Sequence, residues 1–196
     1  MSAKTKKSKK PQLNEYDKMW ENPMKKPYLE KIILNIGVGA GGEELERAVS
    51  VLTQISGKTP VRTISRKNIK EFNLRKGRPI GTKVTLRGAD AEKLLKRMII
   101  VNNNKMLRKS FDNYGNFGFG ISDHISIPGV DYDQDLGIWG LDVMGRIIRP
   151  GMRIKHRRKH PSKVPKHHYV NREEAQYFLE KNYGIKIVKE LDLEYI

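Results

Sequence analysis

Residues 63–88 read TISRKNIKEFNLRKGRPIGTKVTLRG. At either end of this stretch, residues 60–65 and 82–87 are short β-branched runs of alternating character, which predicts two strands of one sheet. The chain between them is too basic to be buried. Residues 62–87 hold nine Lys or Arg (Arg62, Arg66, Lys67, Lys70, Arg75, Lys76, Arg78, Lys83 and Arg87) against one acid, Glu71. Phe72 and Leu74 sit among the charges, and Gly77, Pro79 and Gly81 shape the descending limb. A long, irregular, polar loop mounted on a sheet is a reaching device, and it is expected to take its order from a partner.

The whole chain fits that reading. Its 196 residues suffice for one good core, with no need of a second domain. A net charge of +17 points to a polyanion, nucleic acid ahead of an anionic membrane surface. No apolar run approaches a membrane span, and no signal-peptide core is present. Cysteine is absent, which excludes disulfides and thiolate metal sites. The excess charge is segregated: residues 1–10, 62–87 and 146–172 carry 24 of the 39 bases and only one of the 22 acids. The remainder is mildly acidic. The pattern predicts a body with three polyanion-seeking extensions: a disordered basic arm over 1–12, the loop, and a basic extension at about 149–171. Residues 13–196 are expected to form a single domain that binds nucleic acid.

Leu13, Tyr16, Met19 and Trp20 fall at helical spacing, an amphipathic helix expected to dock on the body and to stop at Asn22-Pro23. A strand, a glycine-rich turn and a helix follow. That helix carries an apolar stripe of Leu45, Ala48, Val49, Leu52 and Ile55, with Gly57 at its end. Asp90 is placed to cap another helix, with Leu94, Leu95, Met98 and Ile99 buried and Asn102 to Asn104 breaking it. Two or three strands are expected beyond it, the last over 141–148. Glu173 and Glu174 open a further helix ended by Asn182 and Gly184, with IKIV as a possible closing strand.

Several sharper motifs fail on their chemistry. Gly37, Gly39 and Gly42 match a dinucleotide fingerprint, but no acid lies about 20 residues on, and Glu43, Glu44 and Glu46 occupy the helix start where a pyrophosphate would sit. Asp131, Asp133 and Asp135 alternate as in a calcium loop, yet Leu136 and Asp142 stand where such a loop needs Gly and Glu. His156, His160, His167 and His168 cluster in sequence, but Arg and Lys lie between them and no Cys or carboxylate does, which favours phosphate contact over zinc. No hydrolase, P-loop or zincin motif occurs, and acids are excluded from the basic stretches, so binding is favoured over catalysis. An RNA-processing enzyme or another RNA-binding regulator is the alternative. No cofactor or metal is expected.

The segments NPMKKPYLEKIILNIGVG, GKTPVRTISRKNIKEFNLRKGRPIGTKVTLRG and SFDNYGNFGFGIS…DLGIWGLDV together resemble the large-subunit ribosomal protein family that binds 5S ribosomal RNA, over about residues 22–190. The segment GMRIKHRRKHPSKVPKHH is similar to its archaeal and eukaryotic branch. The resemblance implies an α+β fold, an antiparallel sheet with helices packed on one face. It also implies a cytoplasmic ribosomal protein of the central protuberance, whose partners are 5S ribosomal RNA, large-subunit ribosomal RNA, transfer RNA in the peptidyl site, and neighbouring ribosomal proteins including one of the small-subunit head. Asn35 and Thr85 are implied 5S contacts, and Lys58 stands where many bacterial members carry Gln. Arg62, Thr63 and Arg87 are assigned to the same interface. The implied transfer-RNA loop, at about 66–81, offers Lys70, Phe72, Asn73, Arg75, Lys76 and Arg78, with Lys70-Glu71-Phe72 where bacterial members tend to read AGF. Arg153, Lys155, Arg157, Arg158 and Lys159 are expected to contact further ribosomal RNA phosphates.

Overall fold

The structure, a computed structural model, describes residues 11–39 and 41–189. The basic arm predicted over 1–12 therefore lies outside the described residues as far as residue 10, and so does the side chain of Leu13. Helix α1 runs Pro11–Trp20, starting two residues earlier than the apolar spacing indicates, with proline at its first position where a missing N–H costs nothing. Strand β1 (Tyr28–Gly37) leads through the glycine turn into α2 (Glu43–Ser56). The quoted stretch forms β2 (Val61–Ile64) and β3 (Pro79–Arg87), followed by α3 (Ala89–Val101). Short β4 (Lys105–Leu107) precedes β5 (Asn116–Ile121) and β6 (Leu141–Ile148). Helix α4 (Arg172–Tyr183) and β7 (Lys186–Val188) close the described chain.

Five strands form one sheet in the order β2-β3-β1-β6-β5, and every pairing in it is antiparallel. A dinucleotide βαβ unit needs parallel neighbours, so the glycines after β1 serve only the turn. Alternation decides which face is covered. Ile32, Leu34 and Ile36 of β1 and Thr82, Val84 and Leu86 of β3 are buried, and α2 and α3 lie over that side. In α2 the buried stripe is Leu45, Ala48, Val51, Leu52 and Ile55; Val51 takes the place predicted for Val49, which is only half-buried. Leu94, Leu95, Met98 and Ile99 are buried as expected. Gly88 (φ 63) occupies the N-cap position of α3 because β3 runs through to Arg87, and Asp90 falls in the first turn instead.

Beside the helices, Phe117 of β5 lies opposite Gly145 of β6, and its ring fills the space that a Cβ on Gly145 would occupy. Ala175, Phe178 and Leu179 of α4 join the same core. Trp20 docks α1 on α4, its ring 5.2 Å from that of Tyr177 and 6.2 Å from that of Phe178. The closing strand β7 pairs with β4, in parallel, as a separate two-stranded ladder.

Candidate nucleic-acid interface

The side of the five-stranded sheet opposite α2 and α3 presents cross-strand rows of side chains. Asn35 lies between Lys83 of β3 and Asp142 of β6. In the next row Ile33 lies between Thr85 and Met144, and in the next Lys31 between Arg87 and Arg146. Strand β5 extends these rows with Gly120, Gly118 and Asn116, so two of its three positions on this face carry no side chain and backbone is left open to a ligand. Rigid strands hold the hydrogen-bonding and cationic groups at fixed spacing, the arrangement that shape-dependent RNA recognition requires.

Charge rises along the face away from Asp142. Lys31, Arg87 and Arg146 converge with Arg153 and His156 around a cavity of about 320 Å³. Glu30, the extra residue where the β1–β6 register shifts, turns into this cavity and meets Arg146 at 3.4 Å. At the other end Thr63 faces Gly81, whose own neighbour across β1 is Gly37.

The structure thus brings Asn35, Thr63, Thr85 and Arg87 onto one surface. Arg62 is not among them. It lies opposite buried Thr82 on the helix-covered side, and its guanidinium meets Glu46 of α2 at 2.7 Å. Lys58 sits in the turn after α2 with its ammonium 3.0 Å from Asp90, and that hydrogen bond lowers the Asp90 pKa. Lys31, Lys83 and Arg146 share this face as well; in the sequence Lys83 and Arg146 count only as charge, and Lys31 is not singled out. The period-two alternation of β1 was the available signal, since Lys31, Ile33 and Asn35 share a face.

The loop between β2 and β3 differs from the irregular, partner-ordered segment that its polarity suggests. It is a small hairpin with hydrogen bonds of its own. Ile69 and Leu74 exchange backbone bonds at 2.9 Å, and Asn73 turns the chain at φ 52. Asn68 Oδ1 accepts the Lys76 N–H at 2.7 Å, while the Ser65 backbone donates to Arg78 O and accepts from Gly77. Phe72 stands at the tip, 69% exposed, with Lys70, Arg75, Lys76 and Arg78 exposed around it.

The basic extension is also built rather than loose. Short 3-10 turns at Met152–Lys155 and Lys166–His168 shape it, and Met152 is buried. Arg149 donates to His167 O at 3.1 Å, and a His168 ring nitrogen lies 2.8 Å from Pro150 O, which ties outgoing and returning chain together. Arg153, Lys155, Arg157, Arg158 and Lys159 remain exposed. Among the described residues no group of three or more His, Cys, Asp or Glu is placed to hold a metal, and no helix is long and apolar enough to cross a membrane. Asp133 accepts the backbone N–H of Asp135, an ordinary acidic turn.

A rigid cationic face, a projecting basic hairpin and an acid-free extension define a structural RNA-binding protein. The comparisons with known proteins make the class specific. The family model for ribosomal protein L5 matches residues 22–75, and the model for the C-terminus of the same ribosomal family matches residues 79–181. Relatives called "Large ribosomal subunit protein uL5" are 46% identical in Sulfurisphaera tokodaii (86% of this chain, 96% of the relative), 46% in Pyrobaculum aerophilum (85% and 93%) and 44% in Nitrosopumilus maritimus (85% and 96%). The chain belongs to the ribosomal protein L5 family, structural and non-enzymatic components of the large ribosomal subunit. The two matched regions meet inside the β2–β3 hairpin, so both contribute strands to the one sheet.

Proposed function

We propose that the helix-free face of the sheet binds 5S ribosomal RNA in the central protuberance of the large subunit. The observation that carries this reading is the rows of Asn35, Lys83, Thr85, Lys31, Arg87 and Arg146 held on adjacent antiparallel strands. Asn35 and Thr85 supply directional hydrogen bonds, and the cations supply phosphate affinity. Arg62 and Lys58, and Arg146 beside Glu30, each already face a carboxylate and contribute less.

The hairpin at 66–81 reaches transfer RNA in the peptidyl site, with Arg75, Lys76 and Arg78 on phosphates and Phe72 against a sugar or exposed base. Residues 149–171 add contacts to large-subunit ribosomal RNA, and a protein of the small-subunit head is a further neighbour. Residues 13–196 act as one RNA-binding unit carrying these extensions. A salt titration of 5S RNA binding by the full chain tests the central claim: the affinity falls steeply, by about 0.9 in log–log slope for each neutralised phosphate. A slope near zero overturns it.

A further inference from the structure

A second cavity, of about 630 Å³, lies between the β5 edge of the sheet and the returning limb of the basic extension. Its size falls within the range of small-molecule sites. Tyr114 and Tyr169 line it, their rings edge to face with centroids 5.4 Å apart, and Tyr114 is 54% exposed. Lys155 Nζ lies 3.2 Å from the Tyr169 hydroxyl and 5.5 Å from the ring centroid, which puts the ammonium beyond the hydroxyl rather than over the ring. Lys163, Lys166 and Arg146 also line the cavity, and among the described residues no carboxylate does. Aromatic surface together with Lys155, Lys163 and Lys166 selects a ligand that is flat at one end and anionic at the other, which describes a nucleotide. Arg146 lines both this cavity and the basic one on the sheet face, so the two sites are neighbours.

We propose that this cavity holds one nucleotide unstacked from the bound ribosomal RNA, with its base on Tyr114 and Tyr169 and its phosphate on Lys155, Lys163 and Lys166. The proposal rests on the reading of the sheet face as an RNA surface. It assigns the extension a second task, capturing a single-stranded nucleotide where the face itself reads the backbone and sugars.

The test uses the full chain with three probes: a short single-stranded RNA carrying 2-aminopurine, a blunt RNA duplex of the same length, and adenosine monophosphate. Binding of the single strand quenches the fluorophore. Tyr114→Ala and Tyr169→Leu each weaken single-strand binding about tenfold, within the range that base–aromatic stacking supports, and leave duplex binding within about twofold. Because Tyr114 is exposed, its variant keeps the test decisive should Tyr169→Leu fold poorly. Unchanged single-strand affinity, or an equal loss for duplex, overturns the proposal and leaves a purely electrostatic surface. Displacement of the single strand by adenosine monophosphate at an equal affinity also overturns it, in favour of a free nucleotide. Asn35→Ala and Thr85→Ala, measured on 5S RNA, report separately on the sheet face, so either reading can fail without the other.

Discussion

Arg149 and Glu174 meet 2.6 Å apart with both side chains withdrawn from solvent. The second Glu174 oxygen accepts the Trp20 indole N–H at 3.1 Å, and Arg149 also holds His167 O. One buried ion pair therefore joins the end of β6, the start of α4, helix α1 and the root of the basic extension. Removing one partner strands a charge in the interior. Glu174→Ala is expected to destabilise the fold by about 3–5 kcal/mol in urea denaturation, and Arg149→Met in the same chain should recover a large part of that loss. A Glu174→Ala loss of only a few tenths would show that water reaches Arg149.

On the sheet face, hydrogen bonding and charge should separate experimentally. Asn35→Ala and Thr85→Ala are each expected to weaken 5S RNA binding by about 1–2 kcal/mol with the salt slope unchanged. Lys31→Ala and Arg87→Ala should instead lower the slope, each by about one counterion. Gel-shift titrations at several salt concentrations distinguish the two kinds of contact.

Arg62 provides the internal comparison. Its guanidinium lies on Glu46 at the helix-covered side, so Arg62→Ala should reduce 5S affinity less than Arg87→Ala does. The pair is exposed, and its loss should cost folding stability no more than about 1 kcal/mol. An RNA defect as large as that of Arg87→Ala would place Arg62 in the interface after all.

Replacing the hairpin tip with a tight turn should leave 5S RNA affinity within a few-fold, since the sheet face stays intact. Reconstituted large subunits carrying the shortened chain should retain peptidyl-site transfer RNA less well. Normal transfer-RNA retention with lost 5S binding would show the two roles to be exchanged.

His124 sets a pH dependence. It is buried beside Trp139, whose backbone N–H donates to Nδ1 at 3.2 Å, and burial lowers its pKa despite the nearby Asp123. The unfolded chain therefore takes up this proton first as pH falls below the ordinary imidazole value of about 6.5. Stability from neutral His124 is complete above that pH and is lost progressively below it, toward the depressed folded value. Chemical denaturation across this window should show the decline, and His124→Gln should flatten it.

Much of the fold was written in local pattern. The alternation of 82–87, the run at 141–148, the apolar stripes of α2 and α3, and the left-handed caps Gly57 and Gly184 are short-range consequences of sterics and periodicity. Segregation of charge marked a polyanion-binding protein before any contact was known. Pairing and burial lay beyond local pattern. Alternation leaves either face of β2 open to Arg62, and only the register that sets it against Thr82 sends it to Glu46. Asp90 reads as a cap in isolation, but the length of β3 gives that position to Gly88 and leaves Asp90 for Lys58. Polarity predicts a loop without its own order, whereas the Ile69–Leu74 bridge shows a hairpin closing once its limbs are held by adjacent strands. The β4–β7 ladder and the Arg149–Glu174 pair join segments distant in sequence, and no local preference encodes which distant partner a strand or a charge will meet. By itself the sequence determined the elements and the chemistry of the ligand; the tertiary structure decided which side chains share a surface, because register and burial arise only when the whole core closes.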